Sequence, residues 1–290
     1  MKKKTVMVFA LAVVLAMTAA GCGSAGTSDP SSETAGESTA LAETGVSNTD
    51  DDVVQLSTLT ALSSGDFTGS RTVGEMSRYG DFGLGTYDGV NGEMIVLDGR
   101  FYQVLGTGEV VEPVKDETVP FMTICNFDKD DSLDLKNISS LEQLMEELNK
   151  EVEILGINSM YAVKIQTKCE LAYVRSKDEQ AKPYKKLSES LKGTQHEFKY
   201  ENTEGTLVCL YFPDYMKELN SAGTDGWHVH FISDDGTKGG HIFDVRFESA
   251  AAEFDEAAGF RMLIPDTDSF QHGDINASQE DIEGAEKKQN

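Results

Sequence analysis

Trp227-His-Val-His-Phe-Ile232, with Ser233-Asp-Asp-Gly-Thr-Lys-Gly-Gly240 and His241 directly behind it, reads as a strand, a turn and the start of a second strand. Side chains two apart on a strand share a face, so His228 and His230 point one way while Trp227, Val229 and Phe231 fill the other. The Asp-Asp-Gly and Gly-Gly steps turn the chain and return His241 beside the first two histidines. Three imidazoles on one hairpin can close on a single metal ion at about 2.0–2.1 Å, as around zinc, and still leave positions for a substrate. Three buried imidazoles without an ion would be poorly satisfied. The lone His196 and His272 read instead as hydrogen-bonded residues with no ligand role.

Strand patterns spread outward from this hairpin. Tyr161–Ile165, Glu170–Val174, Glu197–Glu201, Gly205–Phe212 and His241–Phe247 are alternating or continuously apolar. Earlier in the chain, Phe82–Tyr87, Glu93–Asp98, Arg100–Leu105 and Val119–Phe127 are separated by Asp-Gly, Asn-Gly and Gly-Thr-Gly steps, which marks β-hairpins. Two helices interrupt them. Thr72–Gly80 has Thr72 as N-cap, Glu75 as capping-box partner and Gly80 as stop; Ser139–Lys150 has an apolar face of Leu141, Leu144, Met145 and Leu148 with a box formed by Ser139 and Glu142. The expected class is α+β, a two-domain α/β arrangement dominated by mixed or antiparallel sheet with few helices. The folded sequence opens near Val53, with a β-rich domain over 53–135 and a metal-binding α/β domain over 136–290.

The chain has 290 residues, with 50 acids against 25 bases and a net charge of -25, so it lacks the basic face that nucleic-acid binding requires. Residues 1–21 carry Lys2, Lys3 and Lys4, then an apolar run too short to span a bilayer, then small residues up to Cys22. Ala19-Ala-Gly-Cys22 resembles a bacterial lipoprotein signal, in which the cysteine is lipidated and becomes the new N-terminus. That implies export and a lipid anchor at Cys22 on the outer face of the cytoplasmic membrane, with plain secretion as the alternative. Segment 22–52 has neither base nor aromatic residue and reads as a solvated acidic tether. Cys125, Cys169 and Cys209 lie in apolar runs at no metal-like spacing and read as buried thiols.

Several longer motifs carry a more specific resemblance. Gly80-Asp-Phe-Gly-Leu-Gly-Thr-Tyr87, Asn91-Gly-Glu-Met-Ile-Val-Leu-Asp-Gly-Arg-Phe-Tyr-Gln103, Val174-Arg-Ser176, Lys182-Pro-Tyr184, Pro213-Asp-Tyr-Met216, His228-Val-His-Phe-Ile-Ser-Asp-Asp235 and Gly239-Gly-His241 resemble the alpha-acetolactate decarboxylase family, in order from about Gln55 to near the C-terminus. The resemblance implies a Zn2+ enzyme that converts 2-acetolactate to acetoin and carbon dioxide, in a two-domain fold that pairs into a homodimer. It implies His228, His230 and His241 as metal ligands, Glu93 as a glutamate at the metal and Thr86 as a substrate-pocket residue. Arg175 matches the family's catalytic arginine, and a second catalytic glutamate comes from a tail that folds back to the site. Ile282-Glu-Gly-Ala-Glu286 offers Glu283 and Glu286 for that role, and Glu286 is the choice.

The chemistry is consistent with such a set. Loss of carbon dioxide from a β-keto acid sends electrons into the neighbouring ketone, so an electrophile is needed at that oxygen and a proton donor at the new carbanionic carbon. Two other readings use the same histidines: a cupin-like metal-dependent oxygenase or isomerase, which would want a glutamate soon after His230, and a noncatalytic surface lipoprotein that captures zinc. Metal analysis with a colour assay for acetoin separates the three.

Overall fold

The computed structural model describes residues 51–220 and 225–286, the last of these through its backbone. The leader 1–21, Cys22 and the tether up to Asp50 lie outside the described residues. The strands of the first half are β1 (Asp52–Leu56), β2 (Arg71–Thr72), β3 (Phe82–Thr86), β4 (Glu93–Leu97), β5 (Arg100–Val104), β6 (Val110–Val111), β7 (Thr118–Val119) and β8 (Phe121–Cys125). They are followed by β9 (Asp131–Ile138), β10 (Tyr161–Lys177), β11 (Gln195–Tyr211), β12 (Trp227–Ser233), β13 (Gly239–Glu256) and β14 (Gly259–Leu263). Strands outweigh helices, as the hairpin punctuation implies, and the fold is α+β.

One sheet has the order β14-β1-β8-β3-β4-β5-β6. Its β4–β5 hairpin turns on Asp98 and Gly99, at φ 50° and 75°, between the paired Leu97 and Arg100. Positive φ at both central positions gives a turn whose twist matches the strands, which is why the sequence has Asp-Gly there. The helix Val73–Met76 has the expected reciprocal box of Thr72 and Glu75.

The other sheet runs β10-β11-β12-β13-β9, and β13 also pairs with β10, so four strands close on themselves with β9 alongside. The expected pairs Tyr161–Ile165 with Glu170–Val174, and Glu197–Glu201 with Gly205–Phe212, are each a single 17-residue strand. The polar residues between them stay in register, Thr167 against Gly205 and Lys168 against Glu204. Register shifts opposite β13, between Gln166 and Cys169 and again up to Leu171, break the alternation that sequence reading depends on. Strands β9 and β14 lie beyond the sequence expectation, because the charged β9 shows little apolar alternation.

The long helix spans Leu141–Leu155, and its N-cap is Ser140, not Ser139. The Ser140 hydroxyl accepts from the Gln143 N–H, while the Gln143 side chain accepts from the N–H of Ser139. Gln143 therefore takes the part expected of Glu142, one residue on. The helix buries Leu144, Met145, Leu148 and Val152 in one core with Trp227, Val229 and Phe231, the three apolar residues of the histidine hairpin. Burial of each such side chain contributes about 1.5–3 kcal/mol, and the Trp227 indole also donates to Asn149 Oδ1 at 2.7 Å. This packing holds the opposite, histidine-bearing face in place.

The expected division at 135/136 falls inside β9, which among the described residues pairs only with β13. Strand β14, near the C-terminus, pairs in parallel with β1, Val53 opposite Phe260. The described residues thus fall in one compact unit. The three thiols are buried and unpaired, and burial raises the pKa of each.

Asp255, at the end of β13, is buried and accepts the N–H of Asp128 at 3.2 Å. Desolvation, with Asp130, Asp51 and Asp128 nearby, pushes its carboxyl up to about 7. Between about pH 4 and 7 the folded protein keeps a proton that the unfolded chain has lost, so this contribution falls as pH rises through that window and is level above it. Asp255→Asn is therefore expected to raise the melting temperature by a few degrees at pH 8, at about 2–4 °C per kcal/mol, and to leave it unchanged at pH 4. Thermal melts at the two pH values check this, and an equal shift at both would show that the carboxyl ionises normally.

Candidate metal centre

Three neighbouring strands set a row of side chains. On β12, His230 is opposite His241 of β13, and His241 is opposite Arg175 of β10. Directly opposed residues share a face, and residues two apart share it as well, which adds His228 beside His230 and Lys177 beside Arg175. Gly240 makes the approach possible: its φ is 142°, and a Cβ there would stand 2.4 Å from the Arg175 carbonyl oxygen. All three imidazoles are buried, with ring centroids 5.0–5.3 Å apart and ligand atoms within 4.8 Å of one another.

The hydrogen bonds select the ligand nitrogens. His230 Nδ1 lies 2.8 Å from the Met94 carbonyl oxygen and must donate to it, which leaves Nε2 with its lone pair. That Nε2 is buried and makes no hydrogen bond among the described residues. His228 Nδ1 stands 3.2 Å from both the carbonyl and the side-chain oxygen of Asn220, so its Nε2 is likewise the acceptor. Burial is the largest cause that lowers all three pKa values, to about 4 at His228; Arg175 and Lys177 add to it at each, and neighbouring imidazoles add to it at His230 and His241. Three neutral imidazoles with an unsatisfied lone pair among them are a donor set that suits a divalent transition metal.

The other sheet supplies the facing wall. Thr86 and Glu93 are cross-strand partners on β3 and β4, and both are buried. The Thr86 hydroxyl donates to the Gly92 carbonyl at 2.7 Å, so it caps the strand start while lining a narrow cavity with Leu59, Phe121, Lys177 and His228. Glu93 places Oε2 3.7 Å from His230 Nε2 and Oε1 3.1 Å from Lys177 Nζ and 3.7 Å from Arg175 Nε. A glutamate that begins a strand is normally solvated, yet this one is 2% exposed.

Arg175 is 1% exposed, lies 5.6 Å over the Phe243 ring, and donates to Gln195 Oε1 at 3.3 Å and to the Ala285 carbonyl. That last bond ties the helix Gln279–Glu286 to the site. Ile282 and Ala285 pack there with Leu59, Phe121 and Leu187, and Lys186 pairs with Asp281 at 2.8 Å. The tail thus meets Arg175 through the Ala285 carbonyl. The Glu286 side chain lies outside the described residues, and Glu283 accepts from Gln279 at 3.4 Å. His196 pairs with Asp178 and His272 with Asp268, both exposed; His196 is opposite Ser176, whose side chain lies on the other face of β10 from Arg175 and Lys177.

Sequence reading missed Lys177 and Asn220. Lys177 carried a signal, since it stands two residues after Arg175 on a strand. Asn220 carried none, because a short helix before β12 brings it to His228.

The sequence model of the family described as Alpha-acetolactate decarboxylase matches residues 53–277. A protein of that name from Methanosarcina mazei is 36% identical over 245 residues, covering 83% of this chain and 83% of its own. One from Brevibacillus brevis is 35% identical over 221 residues, 76% of this chain and 75% of its own. A crystal structure of alpha-acetolactate decarboxylase from Bacillus subtilis strain 168 superposes with a TM-score of 0.76 at 28% identity, over 82% of this chain and all of that one.

Proposed function

We propose, from the premise that this chain belongs to the alpha-acetolactate decarboxylase family and is a carboxy-lyase, that it converts 2-acetolactate to acetoin and carbon dioxide at a zinc ion held by His228, His230 and His241. The convergence of the three buried imidazoles beside Glu93 and Arg175 carries this reading. The cupin-like and noncatalytic alternatives drop out with family membership.

A bound zinc supplies an electrophile for the substrate's oxygens, which lowers the barrier to forming the enediolate. The rest falls to the chain. Arg175, fixed by Gln195, Ala285 and the Phe243 ring, presents a planar cation to the carboxylate or to the developing oxyanion. The carbon–carboxylate bond then breaks, carbon dioxide leaves, and its electron pair enters the ketone. A site carboxyl, Glu93 or Glu286, returns one proton to one face of the enediolate and so sets the handedness of acetoin. Thr86 shapes the pocket wall next to Glu93. Asn220 and the Met94 carbonyl hold His228 and His230 in the tautomers that ligate.

Metal analysis of the purified protein together with acetoin release from 2-acetolactate tests the proposal. Turnover that survives complete removal of zinc, with no other metal bound, would overturn it.

Export with a lipid at Cys22 belongs to the same reading, supported by Ala-Ala-Gly-Cys and the basic, apolar leader. Cys22→Ala is expected to abolish labelling by palmitate in cells; equal labelling of wild type and variant would end the anchor.

A further inference from the structure

We propose that Lys177 is a positioning residue for Glu93, its buried ammonium holding one carboxylate oxygen so that the other faces the three imidazoles. The inference rests on the reading that places Glu93 at the metal. Lys177 Nζ is 3.1 Å from Glu93 Oε1, whereas Arg175 Nε is 3.7 Å from the same oxygen, so the lysine is the nearer cation. The Arg175 guanidinium is also engaged with Gln195 and Ala285. Glu93 Oε2, on the other side of the carboxylate, is the oxygen directed at His230 Nε2.

Both partners are nearly solvent-free, Lys177 at 3% and Glu93 at 2% exposure. Lysine is rarely buried unless paired, because an ammonium out of water must be repaid by a close anion. The backbone that carries it is fixed on both sides. Ser176, on the opposite face of β10, donates its hydroxyl to the Val104 carbonyl at 2.5 Å, and the Asp178 N–H bonds the Thr194 carbonyl at 2.9 Å. Val104 is in turn the cross-strand partner of Glu93 on β5. The stem of Lys177 and the stem of Glu93 are therefore anchored to one stretch of chain, and the ion pair spans the gap between the two sheets. Partners that orient a ligating group in this way affect metal affinity and rate without touching the substrate.

The test uses the full purified protein with Lys177→Met, Lys177→Arg, Glu93→Gln and the double variant, measuring zinc affinity by chelator competition together with kcat and KM. Lys177→Met is expected to weaken zinc binding by about 10–100-fold and to lower kcat at saturating zinc by a similar factor. KM is expected to stay within about twofold, since no ground-state contact to substrate is removed. Lys177→Arg is expected to recover most of both. In the Glu93→Gln background, Lys177→Met is expected to add less than about twofold, because two groups acting as one unit are not additive. Should Lys177→Met fail to fold by thermal melting, Lys177→Gln takes its place. A raised KM with kcat and zinc affinity intact, or full additivity in the double variant, would overturn the role of Lys177. Wild-type protein that takes up no zinc would sink the metal reading itself, which is a separate outcome.

Discussion

His230→Ala and His241→Ala are each expected to lose zinc and turnover together, with kcat/KM falling by more than about 10³-fold. A Lewis acid supplies several kcal/mol to such a reaction, and each 1.36 kcal/mol is a factor of ten. The two residues are directly opposed across β12 and β13, so removing either breaks the centre of the row while its outer members stay in place. The loss is expected to show in stability too. Added zinc raises the melting temperature of a protein that binds it only when folded, and that rise should vanish in both variants. Metal content, melting with and without zinc, and acetoin release check this in one preparation. Full zinc in either variant would remove that histidine from the ligand set.

Arg175→Ala is expected to behave in the opposite way with respect to metal: zinc stays near one per chain while kcat/KM falls by roughly 10²–10³, the scale for loss of a preorganised charge donor. Its guanidinium makes its bonds to Gln195 and the Ala285 carbonyl, on the far side of His241 from His230. Arg175→Lys should rescue little, because an ammonium has no planar group to lie over the Phe243 ring while one nitrogen, Nη1, donates to Gln195 and Ala285 and another, Nε, lies 3.7 Å from Glu93 Oε1. Metal analysis beside steady-state kinetics decides, and full activity in Arg175→Ala would end its catalytic assignment.

The site was legible in the sequence wherever strand alternation carries it. His-x-His placed two imidazoles on one face, and the glycine-rich turn placed the third opposite, which β12 and β13 reproduce. The same rule applied once more would have found Lys177 from Arg175. Glu93 and Arg175 rested on the family resemblance, since their burial depends on two sheets meeting face to face and no local pattern records that. The long strands were read as fragments because bulges in β10 opposite β13 shift the apolar face while the ladder with β11 keeps its register. The capping box was read one residue early because two serines stand together, and only Ser140 bonds the N–H three residues on. Asn220 was out of reach, as its contact with His228 is made across a connection and not along an element.

The parallel pairing of β1 with β14 bears on how this protein comes into being. Val53 finds Phe260 across roughly 200 residues of chain, a separation that raises the entropy of loop closure and slows folding. A ribosome delivers the first strand long before its edge partner exists, so the sheet that carries Glu93 cannot be completed until nearly the whole chain has emerged. The edge of that sheet therefore stays open late into synthesis. Until then the backbone groups on that side of β1 form an unpaired edge, open to water or to another chain.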